Sequence, residues 1–232
     1  MKIKLFSLIA GSIILIITIS SSHSHTDHYK NLKKIEMDVY KDGKIIGFSN
    51  YEFISKFDEL LVKNITKFKV KLLGVEVFSI SSQSEERYKN GNLMYFKSST
   101  VQNKKKKFVD LKYLENTNEF LINGSSYKGK AKKNNVIGNW WNHDILKAKS
   151  QISPLSGSIK KQKVSFIGKE LIKINDKEYH TEHYKLLSDE NISEDRKLDF
   201  DIWYNKDKNI IIKISYKKFG DWEYRLKNIK LY

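Results

Sequence analysis

Histidines beside carboxylates are the residues of this chain whose types and spacing suggest chemistry. The stretch GNWWNHDIL, residues 138–146, places His143 and Asp144 directly after the pair Trp140 and Trp141. A histidine near a carboxylate can act as a general base. Adjacent side chains rarely form the hydrogen bond that a catalytic triad needs, and no G-x-S-x-G, P-loop or G-x-G-x-x-G motif accompanies them. We therefore assign no catalytic residue, and a hydrolase that uses His143 or His180 is kept as an alternative hypothesis.

Two histidine-rich stretches resemble metal sites at first sight. In HTEH, a strand directs His180 and Glu182 to one face and His183 to the other, so the three side chains do not converge. The second stretch, HSHTDH, lies in a segment that offers no fixed framework for ligands; it contains His23, His25, Asp27 and His28. We predict no metal and no cofactor.

The tryptophan pair has two interpretations. Trp140 and Trp141 cannot face the same way on a strand or a helix, so one is expected to pack inward while the other lies with His143 near a rim. Either both rings plug the interior, or they form a lid over an apolar cavity. Aromatic and charged residues of this segment and of the last strands form the candidate ligand-binding set: Trp140, Trp141, His143, Asp144, Trp203, Tyr204, Tyr224 and Arg225. For the residues of the last strands, core packing is the other interpretation.

The elements that would position these residues are strands. From Ile35 onward the apolar residues recur with a period of two, and Asp42-Gly43 and Asn90-Gly91 are tight hairpin signals. Short turns between successive strands make neighbours antiparallel, and a sheet of about ten strands rarely stays flat. The sequence predicts an all-β fold: a strongly curved antiparallel meander forming an open barrel or half-barrel. One short helix is expected around Trp140–Ala148, capped by Asn139.

The N-terminus predicts export. Lys2 and Lys4 precede Leu5–Ile19, an apolar run of 15 residues, which is short for a bilayer span of about 20. Residues 1–24 are therefore predicted to be a signal peptide, with an uncleaved anchor formed by residues 5–19 in the cytoplasmic membrane as the alternative. Residues 25–34 are predicted to be a mobile tether and residues 35–232 a single curved sheet, located in the periplasm or secreted.

Composition limits the partners. The chain of 232 residues has 43 Lys and Arg against 27 Asp and Glu, a net charge of +16, and no cysteine. Disulfides, cysteine nucleophiles and cysteine-ligated zinc are therefore excluded. Nearly all the positive charges are scattered lysines, which favours weak attraction to anionic surfaces and argues against specific nucleic-acid binding.

Several stretches, taken in order, carry a family resemblance: VYKDGKIIG, EERYKNGNL, GNWWNHDIL, PLSGSI, DFDIWYNKDKNII and FGDWEYRL. With them the chain resembles an uncharacterised secreted proteobacterial domain-of-unknown-function family, numbered six-one-three-four. More distantly, it is similar to periplasmic half-barrel carriers of lipoproteins. The resemblance implies an envelope location and a curved β-sheet. It implies no activity and therefore no site residues.

Three functions fit these features. The first hypothesis is a non-enzymatic periplasmic binding or carrier protein for a lipid or another apolar or amphipathic ligand. The alternatives are an envelope scaffold or assembly protein that binds another protein, for example at an open sheet edge, and the hydrolase named above. A deep apolar cavity would favour the carrier, a filled interior the scaffold, and convergent polar groups at a cleft the enzyme.

Overall fold

Strands make up most of the described chain. The computed structural model describes residues 27–189 and 197–232, so the predicted signal peptide lies outside the described residues. Within these ranges two short 3-10 helices occur, Asp27–Tyr29 and His143–Leu146. The strands of these ranges, numbered β1 to β15, are Leu32–Lys41, Lys44–Lys56, Glu59–Leu72, Val75–Lys89, Asn92–Gln102, Lys105–Leu114, Glu119–Gly124, Lys128–Lys132, Val136–Ile137, Ser150–Ile152, Ile159–Ile174, Lys177–Ser188, Asp199–Asn205, Ile210–Lys217 and Asp221–Leu231.

All fifteen strands of the described ranges belong to one sheet, whose order is β8-β7-β6-β5-β4-β3-β2-β1-β15-β14-β13-β12-β11-β10-β9. The first and last strands of the described ranges, β1 and β15, therefore pair in the middle of the sheet. Only residues 133–135 separate the two edge strands, β8 and β9. Ala131 of β8 and Ile137 of β9 are buried in the same core, so the sheet curls until its edges approach each other. The predicted curved β-fold is confirmed.

Two details differ from the expected meander. β9 and β10 pair in parallel, whereas the other ladders are antiparallel. The reason is that residues 138–149 connect these two strands by a crossing segment rather than by a tight turn. The helix predicted at Trp140–Ala148 is limited to the 3-10 turn His143–Leu146, and its cap is Asn142, whose side chain accepts a hydrogen bond from the Asp144 N–H.

The hairpin turns follow the sequence signals. Asp42 and Gly43 have φ angles of 49° and 75°, and Asn90 and Gly91 have 48° and 75°. Positive φ at both central positions is the type I′ geometry, whose twist matches that of the flanking strands. The register of the long hairpins is therefore set by the residues that tolerate this backbone conformation.

Inward-facing side chains of both halves of the sheet form one core. Residues 136–157, which contain β9, the His143–Leu146 turn and β10, add Trp141, Ile145 and Ile152 to it, so the interior is filled from within the chain. A second, smaller cluster of Val39, Phe68 and Trp222 lies at one end of the barrel. The buried inner-face residues of the main core include Ile35, Met37, Phe53, Phe96, Leu111, Phe120, Leu186, Ile202, Ile214 and Leu226.

The segment predicted as a mobile tether, residues 25–34, is ordered against the barrel from Asp27 onward. Tyr29 is completely buried, and β1 already begins at Leu32, which is buried as well. Tyr29 is a single aromatic residue in a polar stretch, and one residue has no periodicity, so the sequence pattern did not reveal this anchor.

No helix in the described ranges has the length and apolarity needed to cross a membrane.

Candidate functional site

Trp141 lies at the centre of the filled interior. Its ring is 1% exposed and contacts Tyr29, Phe53 and Tyr88 edge-on, with ring centroids 4.9, 5.5 and 5.6 Å away. Edge-to-face contacts of this kind are a favoured aromatic geometry. Of the two tryptophans, Trp141 is therefore the one that packs inward.

Trp140 packs against the opposite half of the barrel. Its ring centroid lies 5.0 Å from Phe200 and 6.3 Å from Tyr224, and its backbone N–H donates to the Tyr51 hydroxyl at 3.4 Å. The ring is half-buried. Together the two tryptophans bridge both halves of the core, which is the arrangement of a plug and not of a lid over a cavity. Ligand binding by these side chains stays a prediction.

Glu86, on β4, is a buried carboxyl group that the sequence analysis missed. Its side chain is 1% exposed. Oε1 accepts hydrogen bonds from Asn139 Nδ2 at 2.7 Å and from Trp141 Nε1 at 2.9 Å, and Oε2 accepts one from the Tyr88 hydroxyl at 2.8 Å. Burial raises the pKa of Glu86 to about 7, although these three donors act in the opposite direction. The available signal was the alternation of β4, which puts Glu86 on the same face as Tyr88.

His143 bonds to Tyr29, which lies 114 residues earlier in the chain. Its Nδ1 lies 2.7 Å from the Tyr29 hydroxyl, and its ring stacks at a tilt 5.1 Å from Tyr204. Burial raises the pKa of Tyr29 well above its ordinary value, so this hydroxyl stays protonated. The backbone N–H of Asp144 donates to Asn142 Oδ1 at 2.9 Å. The buried His143 thus connects the N-terminal segment to the tryptophan segment.

The remaining histidines of interest lie on β12. His180 is exposed, while Glu182 accepts a hydrogen bond from the Tyr184 hydroxyl at 2.8 Å. His183 points to the opposite face, as the strand pattern predicts, and there it meets two other carboxylates. His23 and His25 lie outside the described residues. Among the residues that the structure does describe, no group of three or more His, Asp or Glu side chains is arranged to hold a metal ion.

A polar cluster on the outer face surrounds His183; we call Glu170, His183, Asp201 and Trp203 the His183 cluster. Nδ1 of His183 lies 2.7 Å from Glu170 Oε1, and Nε2 lies 2.9 Å from Asp201 Oδ1. The imidazole stacks on Trp203 at 4.5 Å, and the Trp203 indole N–H donates to Glu170 Oε2 at 2.7 Å. The imidazole is therefore held between two carboxylates and an indole ring, and each of its nitrogens already faces a carboxylate oxygen.

The carboxylates of the His183 cluster are held in their ionised form. The hydrogen bond from Trp203 is the main cause that lowers the pKa of Glu170, and the hydrogen bond from His183 adds to it. For Asp201 burial acts upward, but hydrogen bonds from Lys185 and His183 outweigh it and lower the pKa. Lys185 also reaches Asp199 at 2.6 Å. This charge pattern is typical of a structural ion-pair network.

The outer-face network continues across the last strands. Lys213 Nζ lies 4.5 Å above the Trp203 ring and 3.3 Å from Glu223. Arg225 pairs with Glu223 and lies 4.3 Å above the Tyr40 ring. Seven of the eight residues predicted to form one ligand site are therefore divided between the two faces of the sheet. Those packed inside are Trp140, Trp141, His143, Tyr204 and Tyr224, and those on the outer face are Trp203 and Arg225. The eighth, Asp144, lies half-buried in the His143–Leu146 turn.

Two of the open grooves on the described part of the outer surface lie near charged side chains. One, of about 480 Å³, lies beside the His183 cluster and includes Lys185, Asp201 and Arg225 in its wall. The other, of about 690 Å³, crosses strands β2 to β5 and is called here the β2–β5 groove. A row of directly opposed residues with alternating charge runs along this groove from β1 to β6: Lys34, Glu52, Lys63, Glu85, Lys97 and Asp110.

The fold and these sites define a curled one-sheet β-barrel-like protein with a filled interior. The chain belongs to the family described as domain of unknown function (DUF6134), which it matches over residues 37–227. It is also similar in structure to a β-barrel-like protein of domain of unknown function DUF1849 from Brucella abortus. That likeness has a TM-score of 0.60 at 9% sequence identity and covers 87% of this chain and 99% of the other. No curated protein matches the sequence.

Proposed function

We propose that this protein is a non-enzymatic interaction protein that binds another protein on the outer surface of its barrel. The observation that carries the proposal is the filled interior, in which Trp141, Glu86 and their neighbours occupy the space that a carried ligand would need. A carrier requires an apolar cavity that encloses most of its ligand. The His183 cluster does not favour an enzyme, because both ring nitrogens of its histidine already face carboxylates.

The β2–β5 groove is the surface that we propose for the partner. Ile65 is an exposed apolar residue in this groove, between Asn50 of β2 and Gln83 of β4. In the charged row beside it, positive and negative side chains alternate and neutralise each other. The row therefore repels neither a positively nor a negatively charged partner strongly. An extended segment of a partner protein fits this chemistry, since its main chain can bond to the amide side chains while an apolar side chain covers Ile65.

The sheet edges are less suited to partner binding than the sequence suggested. β8 is five residues long and presents the exposed side chains of Lys128, Lys130 and Lys132. β9 has two residues and already pairs with β10. Short, lysine-rich edges are a common protection against strand addition. The proposal therefore relies on the face of the sheet.

A cross-linking experiment tests the proposed groove. A photoreactive residue replaces Ile65 in one protein and the similarly exposed Leu171 of β11 in a matched control. We expect a discrete cross-linked partner from position 65 only, and we expect Ile65→Arg to abolish co-purification of that partner while Leu171→Arg preserves it. Cross-linking at both positions alike, or a partner retained by Ile65→Arg, would contradict the proposal.

The proposal includes export to the cell envelope, which rests on Lys2, Lys4 and the apolar run Leu5–Ile19. Cell fractionation followed by N-terminal sequencing tests it. A released protein that begins near Ser24 supports a cleaved signal, and an intact N-terminus in the membrane fraction supports the anchor. Cytoplasmic protein with an intact N-terminus would contradict export.

A further inference from the structure

Two hairpin turns at one end of the barrel present large apolar side chains to solvent. Leu73, in the β3–β4 turn, is 96% exposed, and Phe219, in the β14–β15 turn, is 95% exposed. Leu72 and Val75 beside the first turn are exposed too. We call Leu72, Leu73, Val75 and Phe219 the tip residues. Exposed large apolar groups gathered at one end of a protein mark an interaction site.

The two turns share one support. Beyond the pair Gly47–Phe68, strand β3 loses β2 as a neighbour and continues only with β4. This projecting hairpin packs on β15, where the Trp222 ring lies 5.7 Å from Phe68 and 6.0 Å from Phe78. The Trp222 indole N–H donates to the Lys218 carbonyl at 2.8 Å, which fixes the second turn. The tip residues therefore project from a common base, the small core of Val39, Phe68 and Trp222.

Lysines accompany the tip residues. Lys69 and Lys71 lie on the arms of the first turn, and Lys217 and Lys218 precede Phe219. Three acidic side chains lie among them: Glu76 pairs with Lys69 at 3.0 Å, and Asp42 and Asp221 lie beside the second turn, where Asp42 Oδ1 accepts a hydrogen bond from the Asp221 N–H. No arginine occurs at either turn. Lysine suits loosely held, hydrated phosphate groups, whereas arginine is the usual choice for fixed bidentate contacts.

We propose that this end of the barrel docks on the surface of an anionic lipid bilayer, with Leu73 and Phe219 inserted between the headgroups and the lysines near the lipid phosphates. Apolar side chains flanked by basic ones are the chemistry of interfacial membrane binding. The net charge of +16 adds a long-range attraction to such a surface. This inference goes beyond the proposed protein partner and uses a different surface from the β2–β5 groove.

The barrel supplies a matched control at its other end. Phe57, in the β2–β3 turn, is 89% exposed and lies between Lys56 and Asp58, so it matches the tip residues in apolar exposure but sits in a turn that also carries acidic groups. Strand β2 has 13 residues, which separates this turn from the tip residues by roughly 40 Å along the strand. Removing the Phe57 ring therefore tests apolar exposure without touching the proposed docking end.

Vesicle co-sedimentation of the full chain purified from its own cells tests the proposal. Vesicles of phosphatidylcholine with about 30% phosphatidylglycerol are compared with pure phosphatidylcholine. We expect binding to the anionic vesicles only, a loss with rising salt, and a decrease of about tenfold or more for Leu73→Ser/Phe219→Ser. The control Phe57→Ser should bind as the unmodified protein does, and thermal melting should be unchanged for all variants because these side chains are exposed.

Three outcomes would overturn the proposal: no binding to anionic vesicles, equal binding of Leu73→Ser/Phe219→Ser and the unmodified protein, or an equal decrease for Phe57→Ser. Loss of vesicle binding in the double variant with an intact cross-link at position 65 would separate this surface from that of the protein partner.

Discussion

The indole N–H of Trp141 donates a hydrogen bond of 2.9 Å to the carboxyl group of Glu86, inside the barrel. This contact joins the crossing segment between β9 and β10 to strand β4, 55 residues earlier in the chain. Because both groups are buried, neither can exchange this partner for water without opening the core. The filled interior therefore depends on a polar contact as well as on apolar packing.

The buried Glu86 predicts a pH-dependent stability. Its pKa is raised from 4.5 to about 7, so between these values the folded state binds more protons than the unfolded state. The free energy of unfolding must then decrease as pH rises through that window, by up to roughly 3 kcal/mol. Below about pH 4.5 the carboxyl is protonated in both states and this contribution is constant.

Glu86→Gln should remove that part of the pH dependence, because the amide keeps an acceptor for Asn139 and Trp141 but does not ionise. Urea unfolding at pH 5 and pH 8 provides the measurement. We expect the variant to be more stable than the unmodified protein at pH 8 and similar to it at pH 5. An equal decrease of stability with pH in both proteins would show that Glu86 is not the responsible group.

The two tryptophans should differ in their contribution to stability. Trp141→Ala removes a fully enclosed ring and leaves the Glu86 carboxyl without one of its donors, so it should cost about 3–5 kcal/mol. Trp140→Ala removes a half-buried ring and should cost less. Denaturant unfolding of both variants gives the comparison. The interior described above would be disproved by a Trp141→Ala protein as stable as the unmodified one.

Fatty acids and lipopeptides should leave the emission of Trp141 unchanged. Trp141 is already surrounded by Tyr29, Phe53 and Tyr88, so a ligand has no water to displace from it. The measurement is a titration that follows the emission maximum at a fixed protein concentration. A saturable blue shift would instead support the carrier hypothesis.

Generic ester and glycoside substrates should not be turned over above the buffer rate. His143 is buried and bonded to Tyr29, and His180 is exposed on a strand. Screening the unmodified protein beside His143→Ala and His180→Ala gives the measurement. Activity that disappears in either variant, with thermal melting preserved, would establish the hydrolase.

The local part of this structure could be predicted and the long-range part could not. Alternation of Phe68, Val70 and Leu72 with lysines identifies a strand, and Asn90-Gly91 identifies a turn, because both signals are local. The pairing of β1 with β15, the parallel pair β9–β10 and the Tyr29–His143 contact connect residues far apart in the chain. The period of the apolar residues and the secondary-structure propensities of the residues contain no information about such pairings.

In the candidate site, too, local features could be predicted from the sequence and long-range contacts could not. The sequence singled out the tryptophan segment, which the structure places in the core of the barrel. It could not identify Glu86 as the partner of that segment, since a glutamate in a strand pattern is ordinarily assigned to the solvent face. Trp203 and Arg225 looked like companions of Trp140 in the sequence, but alternation within β13 and β15 directs them to the outer face.

The pairing of β1 with β15 also determines when the fold can be completed. During synthesis or export the chain appears N-terminus first, so β1 to β8 can assemble while one side of β1 still lacks its neighbour. Leu32 meets Leu231 across that ladder, and the closing strand β15 is thus synthesised after β1 to β14. Until then the nascent protein exposes a strand edge whose backbone groups lack hydrogen-bond partners. This state is prone to aggregation, and it is the state that a chaperone would bind.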